Sequence, residues 1–155
     1  NHIDWFQVEP ENVAPSEYGW SVADRSLRAA NDNCVNMLVT IDGTPRWAAT
    51  SHVHSPYRPE MEEEFVELVG AIVERYDGDG RDDAPGSPVV NYWEFYNEPD
   101  VGGSALGDGW GVFPEAYAAM LEAVYPVVKE ANPNAQVVFG GISYDNFIED
   151  GGIFV

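Results

Sequence analysis

Apolar residues along the chain follow two spacings, and each predicts one kind of element. Short runs rich in Val, Ile, Trp and Phe read as strands, and stretches with apolar residues three and four apart read as helices. Ile3 to Val8 predicts a short strand ending at Glu9-Pro10. After a polar loop over Asn12 to Gly19, the residues Trp20, Ala23, Leu27 and Ala30 share one face of a helix from about Ser21 to Asn33. Ser21 and Asp24 are its candidate caps. Val35 to Ile41 is nearly all apolar, the pattern of a parallel strand buried on both faces. Phe65, Leu68, Val69, Ile72, Val73 and Tyr76 make the buried stripe of a helix from about Glu60 to Tyr76. Acidic residues crowd its first turn, where the helix dipole favours them. Val89 to Asp100 begins as a strand and stops at Asn97-Glu98-Pro99, because proline cannot donate to a ladder. A further helix starts near Pro114, a favoured first-turn residue, and ends at Asn132-Pro133. Its apolar face holds Phe113, Tyr117, Met120, Leu121, Val124 and Val128, and Ala135 to Ile142 is a last apolar strand.

Strands alternating with helices predict an α/β fold, a parallel sheet with helical crossovers. Such sheets carry their chemistry at the carboxyl ends of the strands. The strand that ends at Asn97-Glu98 therefore presents an amide and a carboxylate where chemistry is expected.

Trp93-Glu94-Phe95-Tyr96-Asn97-Glu98-Pro99 resembles the acid/base strand of the clan A glycoside hydrolases. These are retaining enzymes on a (β/α)8 barrel, and in them Asn-Glu-Pro ends the fourth strand. The Trp-x-x-Val-Glu-Pro pattern over Trp5 to Pro10 resembles the end of the second strand. Thr44-Pro45-Arg46-Trp47-Ala48 resembles the end of the third. The resemblance implies a partial (β/α)8 TIM barrel over residues 1–155, covering about the second to fifth strands. The first strand and the sixth to eighth are absent from it, since a full barrel needs roughly 250 residues. The start at Asn1 without an initiator Met, and the end at Gly151 to Val155, fit a segment of something longer. The β-xylosidase-like and α-L-iduronidase-like branch fits best, with cellulase-like and mannanase-like enzymes close behind.

Retaining hydrolysis uses two carboxyls about 5–5.5 Å apart, one as acid/base and one as nucleophile. By resemblance Glu98 is the acid/base and Asn97 contacts the sugar 2-hydroxyl. The family's nucleophile ends the seventh strand, outside this chain. An acid/base must hold its proton near neutral pH, so burial or a neighbouring carboxylate is expected at Glu98. Glu94 faces the same side but lies roughly 13 Å down the strand, which makes it structural and in need of an Arg or hydroxyl partner. Trp47 and Trp110 are candidate sugar-stacking platforms with solvated N–H groups. Trp5, Tyr144, His52 and His54 are further candidate substrate contacts. For each Trp, plain packing is the alternative. The His-x-His spacing of His52 and His54 also occurs in metal sites, but no third ligand stands nearby.

Acidic residues number 27 against 7 basic, a net charge of −20. Such a surface repels nucleic acid and anionic membrane alike. It favours solubility and suits a secreted, extracellular or periplasmic setting. No apolar run approaches the ~20 residues of a membrane helix. Cys34 is the only cysteine, which excludes an internal disulfide, and it is expected to pack where a helix hands over to a strand. Lys129, the sole lysine, falls on a helix, so the segment offers no Schiff-base lysine of the kind an aldolase barrel wants. Asp77, Asp79 and Asp82, with Asp83, resemble the start of a calcium loop. A structural calcium is one reading of them and a solvated acidic turn the other. No organic cofactor is implied. The expected partners are a carbohydrate substrate and the remainder of the barrel, or a complementing chain. A second reading keeps the cleft without the nucleophile, as a glycan-binding or structural protein.

Overall fold

The computed structural model describes residues 1–102 and 109–143. The chain opens with β1 (His2–Asp4), a helical turn α1 (Trp5–Val8) and helix α2 (Ser21–Asp32). Strand β2 (Leu38–Asp42) and helix α3 (Glu62–Arg75) follow, then β3 (Tyr92–Phe95), α4 (Pro114–Ala131) and β4 (Gln136–Val138). The strands form one parallel sheet in the order β1-β2-β3-β4, with a helix in every crossover. This is the α/β arrangement that the alternation of patterns predicts.

Register decides what each face of the sheet does. Ile3, Ile41 and Phe95 are in line across the strands, as are Val39 and Trp93. All five are buried, in one apolar cluster with Phe65, Leu68, Val69 and Ile72 of α3 and Met120, Val124 and Val128 of α4. Each such side chain adds about 1.5–3 kcal/mol by leaving water. Residues of the other parity point to the opposite face. There Asp4 pairs with Asp42, and Thr40 with Glu94, near the carboxyl ends. Nearer the amino ends Leu38 and Tyr92 remain 43% and 47% exposed. Helix α2 is tied to α3 by Arg75, which grips both oxygens of Asp24 at 2.9 and 2.8 Å. The Tyr76 hydroxyl donates to the same carboxylate at 2.8 Å, and the guanidinium lies 5.2 Å from the centre of the Trp20 ring.

The Ile3 to Val8 strand is only His2–Asp4, because the chain turns at Trp5 into a helical turn closed by the Glu9 N–H on the Trp5 carbonyl. Asp24 is not a cap, since Arg75 and Tyr76 take up its oxygens, and α2 has no side-chain cap. Cys34 does stand at the handover from α2 to β2, but it is exposed, in a left-handed conformation with φ 55°. That corner delays β2 to Leu38. The last strand shortens to Gln136–Val138, because the Gly140 N–H turns to the Tyr117 hydroxyl, the Gly141 N–H to the Glu94 side chain of β3 and the Gly141 carbonyl to the Glu98 N–H.

Candidate active site

The site begins where β3 stops. Tyr96 and Glu98 both adopt left-handed backbone, with φ 54° and 50°. For non-glycine residues that conformation costs about 1–3 kcal/mol each and persists only when neighbours enforce it. The Tyr96 N–H donates to the Ile41 carbonyl at 2.9 Å, and the Glu98 N–H to the Gly141 carbonyl at 2.9 Å. The Tyr96 hydroxyl, fully buried, bonds Thr44 Oγ1 at 2.7 Å, and Thr44 Oγ1 donates to the Ser55 carbonyl at 2.8 Å. Burial pushes the Tyr96 phenol well above its ordinary pKa despite the Thr44 bond, so it stays protonated. Gly140 closes the turn from the other side. A Cβ there would fall 2.5 Å from the Tyr96 carbonyl oxygen and 2.8 Å from Pro99 Cδ.

Glu94 stands below this turn on the inner face and is 8% exposed. It has the hydroxyl partner its burial requires: Thr40 Oγ1 donates to Oε2 at 2.6 Å. Its Oε1 accepts the Gly141 N–H at 2.8 Å. The carboxylate therefore holds the same glycine whose carbonyl holds Glu98.

Asn97 and Glu98 are exposed and line a cleft of about 390 Å³. The buried setting expected for an acid/base is not found at Glu98. The residue stands beyond the last ladder pair of the sheet, exposed even with all the described residues in place. His52 and His54 reach the same cleft on a loop pinned by Ser55, whose hydroxyl accepts the N–H groups of Ser51 and His52 and donates to the His52 carbonyl. His54 Nδ1 lies 3.9 Å from Asp42 Oδ1. The Nε2 atom of His52 is buried and has no partner among the described residues.

The tryptophans behave differently from the stacking platforms expected of them. Trp5 is fully buried, its Nε1 donating to Glu9 Oε2 at 2.8 Å, and it is not part of the cleft. Trp47 packs edge-on against Trp5 with centroids 5.2 Å apart and donates to the Glu9 carbonyl, so it too is absent from the cleft lining. Trp110 does line the cleft, but it is 2% exposed, between Tyr96, Tyr57 and Tyr117. Its N–H is buried rather than solvated. Core packing among aromatic neighbours took Trp5 and Trp110 away from solvent, and Trp47 is half-buried against Trp5. Tyr144 lies outside the described residues.

Asp4 and Asp42, which sequence reasoning did not single out, also line the cleft. Each closes its strand one position beyond a buried isoleucine, but only the pairing of the two strands brings them together. Burial raises the Asp4 carboxyl, and Asp42 beside it adds to the rise, while His2 and His54 oppose it.

The acidic turn falls at the amino-terminal approach to β3, away from the cleft. Asp77, Asp79 and Asp83 bring one carboxylate oxygen each within 4.8 Å of one another. Asp82, expected among the ligands, is not in this group; its backbone is left-handed, with φ 49°. The turn uses its own carboxylates: Asp77 Oδ1 accepts the Asp79 N–H, Asp79 Oδ1 the Arg81 N–H, and Asp83 Oδ2 the Gly80 N–H. Lys129, in the last turn of α4, ties the helix to the segment before β4 by donating to the carbonyls of Pro133 and Ala135. Among the described residues, no helix is long and apolar enough to cross a membrane.

No protein-family model matches the chain, and no curated protein matches it. Solved structures do share its fold. A family 39 glycoside hydrolase from the gut symbiont Bacteroides cellulosilyticus superposes with a TM-score of 0.63 at 17% identity, over 99% of this chain and 30% of that one. An endoglucanase from the hyperthermophilic Thermotoga maritima gives 0.63 at 16% identity, over 99% of this chain and 43% of that one. A glucosidase from Croceicoccus marinus gives 0.59 at 22% identity, over 88% of this chain and 27% of that one. The chain thus spans less than half the length of each.

Proposed function

We propose that this chain is part of the catalytic barrel of a retaining glycoside hydrolase. Glu98 is the general acid that protonates the leaving glycosidic oxygen and the base that then activates water. Asn97 binds the sugar 2-hydroxyl, a contact that strengthens as the oxocarbenium-like state forms. The second carboxyl, the nucleophile, comes from outside these 155 residues or from a complementing chain. The substrate is a β-linked oligo- or polysaccharide, and the acidic surface suits an extracellular or periplasmic enzyme. One observation carries the reading. An amide and a carboxylate are exposed side by side on a strained turn at the carboxyl end of a strand, inside a cleft.

The exposure of Glu98 favours one competing reading, a glycan-binding barrel without catalysis. A Glu98→Gln variant separates the two. Loss of a general acid lowers kcat/KM on a β-glycoside with a poor leaving group about 10²–10⁴-fold, while glycan binding persists. Unchanged hydrolysis in that variant, or none in the wild-type protein with its barrel complete, would sink the catalytic reading.

A further inference from the structure

We infer that Asp4 and Asp42 form a hydroxyl-accepting subsite in the cleft that holds Glu98, fitted to an uncharged sugar ring and closed to uronates and sulfated sugars. The inference rests on the glycosidase reading, and it adds the substrate class.

Asp4 and Asp42 end adjacent parallel strands at the same register position. Neighbouring strands run about 4.8 Å apart, so two carboxylates stand side by side on the inner face. Asp42 is more than nine-tenths buried, at 8% exposure, and still lines the cleft. One oxygen of each is taken: Asp42 Oδ1 accepts the Gly43 N–H and Asp4 Oδ2 accepts Gln7 Nε2, both at 2.5 Å. The other oxygen of each has no hydrogen-bond donor among the described residues. No lysine or arginine lines the cleft among those residues either.

Ionised carboxylates only accept hydrogen bonds. Two of them side by side need a ligand that brings donors and no negative charge. Two hydroxyls of a neutral sugar ring meet that need, and charge-assisted O–H···O⁻ bonds are among the stronger ones. A uronate or sulfate would add a third negative charge beside the pair, in a chain whose 155 residues already carry −20. A bound cation is the other chemistry that two carboxylates serve. Among the described residues, no third acidic or histidine side chain brings a ligand atom within 4.8 Å of both Asp4 and Asp42; the group of three that does converge is in the distant turn.

The test is a titration of the ¹⁵N-labelled full chain with xylotetraose and cellotetraose, and with tetragalacturonate as the anionic match. The Gly43 amide, bonded to Asp42, is the reporter. The neutral sugars are expected to shift it, and tetragalacturonate is not. Asp4→Asn and Asp42→Asn each weaken neutral binding about tenfold, the size of one lost charged hydrogen bond. Both variants also narrow the preference over the uronate. Equal binding of the uronate, no neutral binding, or unchanged affinity in both variants overturns the subsite. So does calcium shifting Gly43 where neither neutral sugar does. If Asp42→Asn does not fold, Asp4→Asn and the wild-type preference decide. Hydrolysis reports separately: a preference for neutral sugars with hydrolysis indifferent to Glu98 overturns the glycosidase reading and leaves the subsite standing.

Discussion

Removing the Glu94–Thr40 contact tests how the turn carrying Glu98 is held. Both residues are buried, at 8% and 4% exposure, and the bond between them is 2.6 Å long. Thr40→Val keeps the shape and deletes the only side-chain donor to Glu94 Oε2 among the described residues. A buried hydrogen bond to a charged group contributes about 1.5–3 kcal/mol, so that is the expected loss. Glu94→Gln keeps an oxygen for the Gly141 N–H and turns an amide toward Thr40, whose hydroxyl can then accept. Its loss should be smaller, about 1–2 kcal/mol. Because the two changes break one interaction, the double variant should fall short of the sum by about 1 kcal/mol or more. On a domain stable by roughly 5–15 kcal/mol these are readable shifts. The assay is urea unfolding followed by tryptophan fluorescence, since Trp93 neighbours Glu94 in the strand. Amide exchange at Glu98 should also quicken in Glu94→Gln, because a neutral amide oxygen holds the Gly141 N–H less strongly than a carboxylate does and the Glu98 N–H rests on the Gly141 carbonyl. Single variants within about 0.5 kcal/mol of wild type, coupling below about 0.3 kcal/mol and unchanged exchange would refute the linkage.

Gly140→Ala puts a methyl 2.5 Å from the Tyr96 carbonyl oxygen, so a loss of about 1–3 kcal/mol or more is expected, and an unchanged urea midpoint would remove the close approach. Burial raises the Asp24 carboxyl, but the bonds from Arg75 and Tyr76 outweigh it and hold the carboxyl below its ordinary value. Asp24 therefore adds stability above the unfolded value of about 3.9 and loses it as pH falls through the lower folded one. The gap in urea midpoint between wild type and Asp24→Asn should shrink from pH 7 to pH 3; a gap that stays constant or widens contradicts the sign. Burial and then the neighbouring Asp79 and Asp83 raise the Asp77 carboxyl, the mark of crowded like charges. The calcium reading of this turn predicts a higher Tm on adding millimolar calcium, lost in Asp79→Asn, and an unmoved Tm dismisses it.

The long helices were legible because their buried stripes extend over three or more turns. In α3, Phe65, Leu68, Val69, Ile72 and Val73 are buried as their spacing requires. The parallel sheet with helical crossovers followed from the same alternation, and its sequential strand order from the resemblance to a (β/α)8 barrel. The short pieces were not legible. Trp5 to Val8 has the composition of a strand, yet the Phe6 N–H bonds the Gly43 carbonyl and the Glu9 N–H bonds Trp5, so tertiary contacts override local preference. Around the cleft, Asn97 and Glu98 were readable from their motif. The burial of Trp5 and Trp110 was not, because loops from distant parts of the chain surround them and an indole's type does not say which side of a loop it takes. Asp4 and Asp42 needed the register between two strands, which no single stretch of sequence contains.

The exposed thiol of Cys34 makes the molecule convenient to instrument. It is the single cysteine of these 155 residues, so within them a maleimide dye attaches at one place without further mutation. It sits ahead of Leu38, whereas the cleft opens beyond Asp42, so the five residues of β2 put roughly 15 Å of strand between label and ligand. A dye there leaves the cleft unobstructed and can accept energy from the buried tryptophans. The same thiol will link two molecules on storage in air, and a reductant belongs in any preparation whose association state is to be measured.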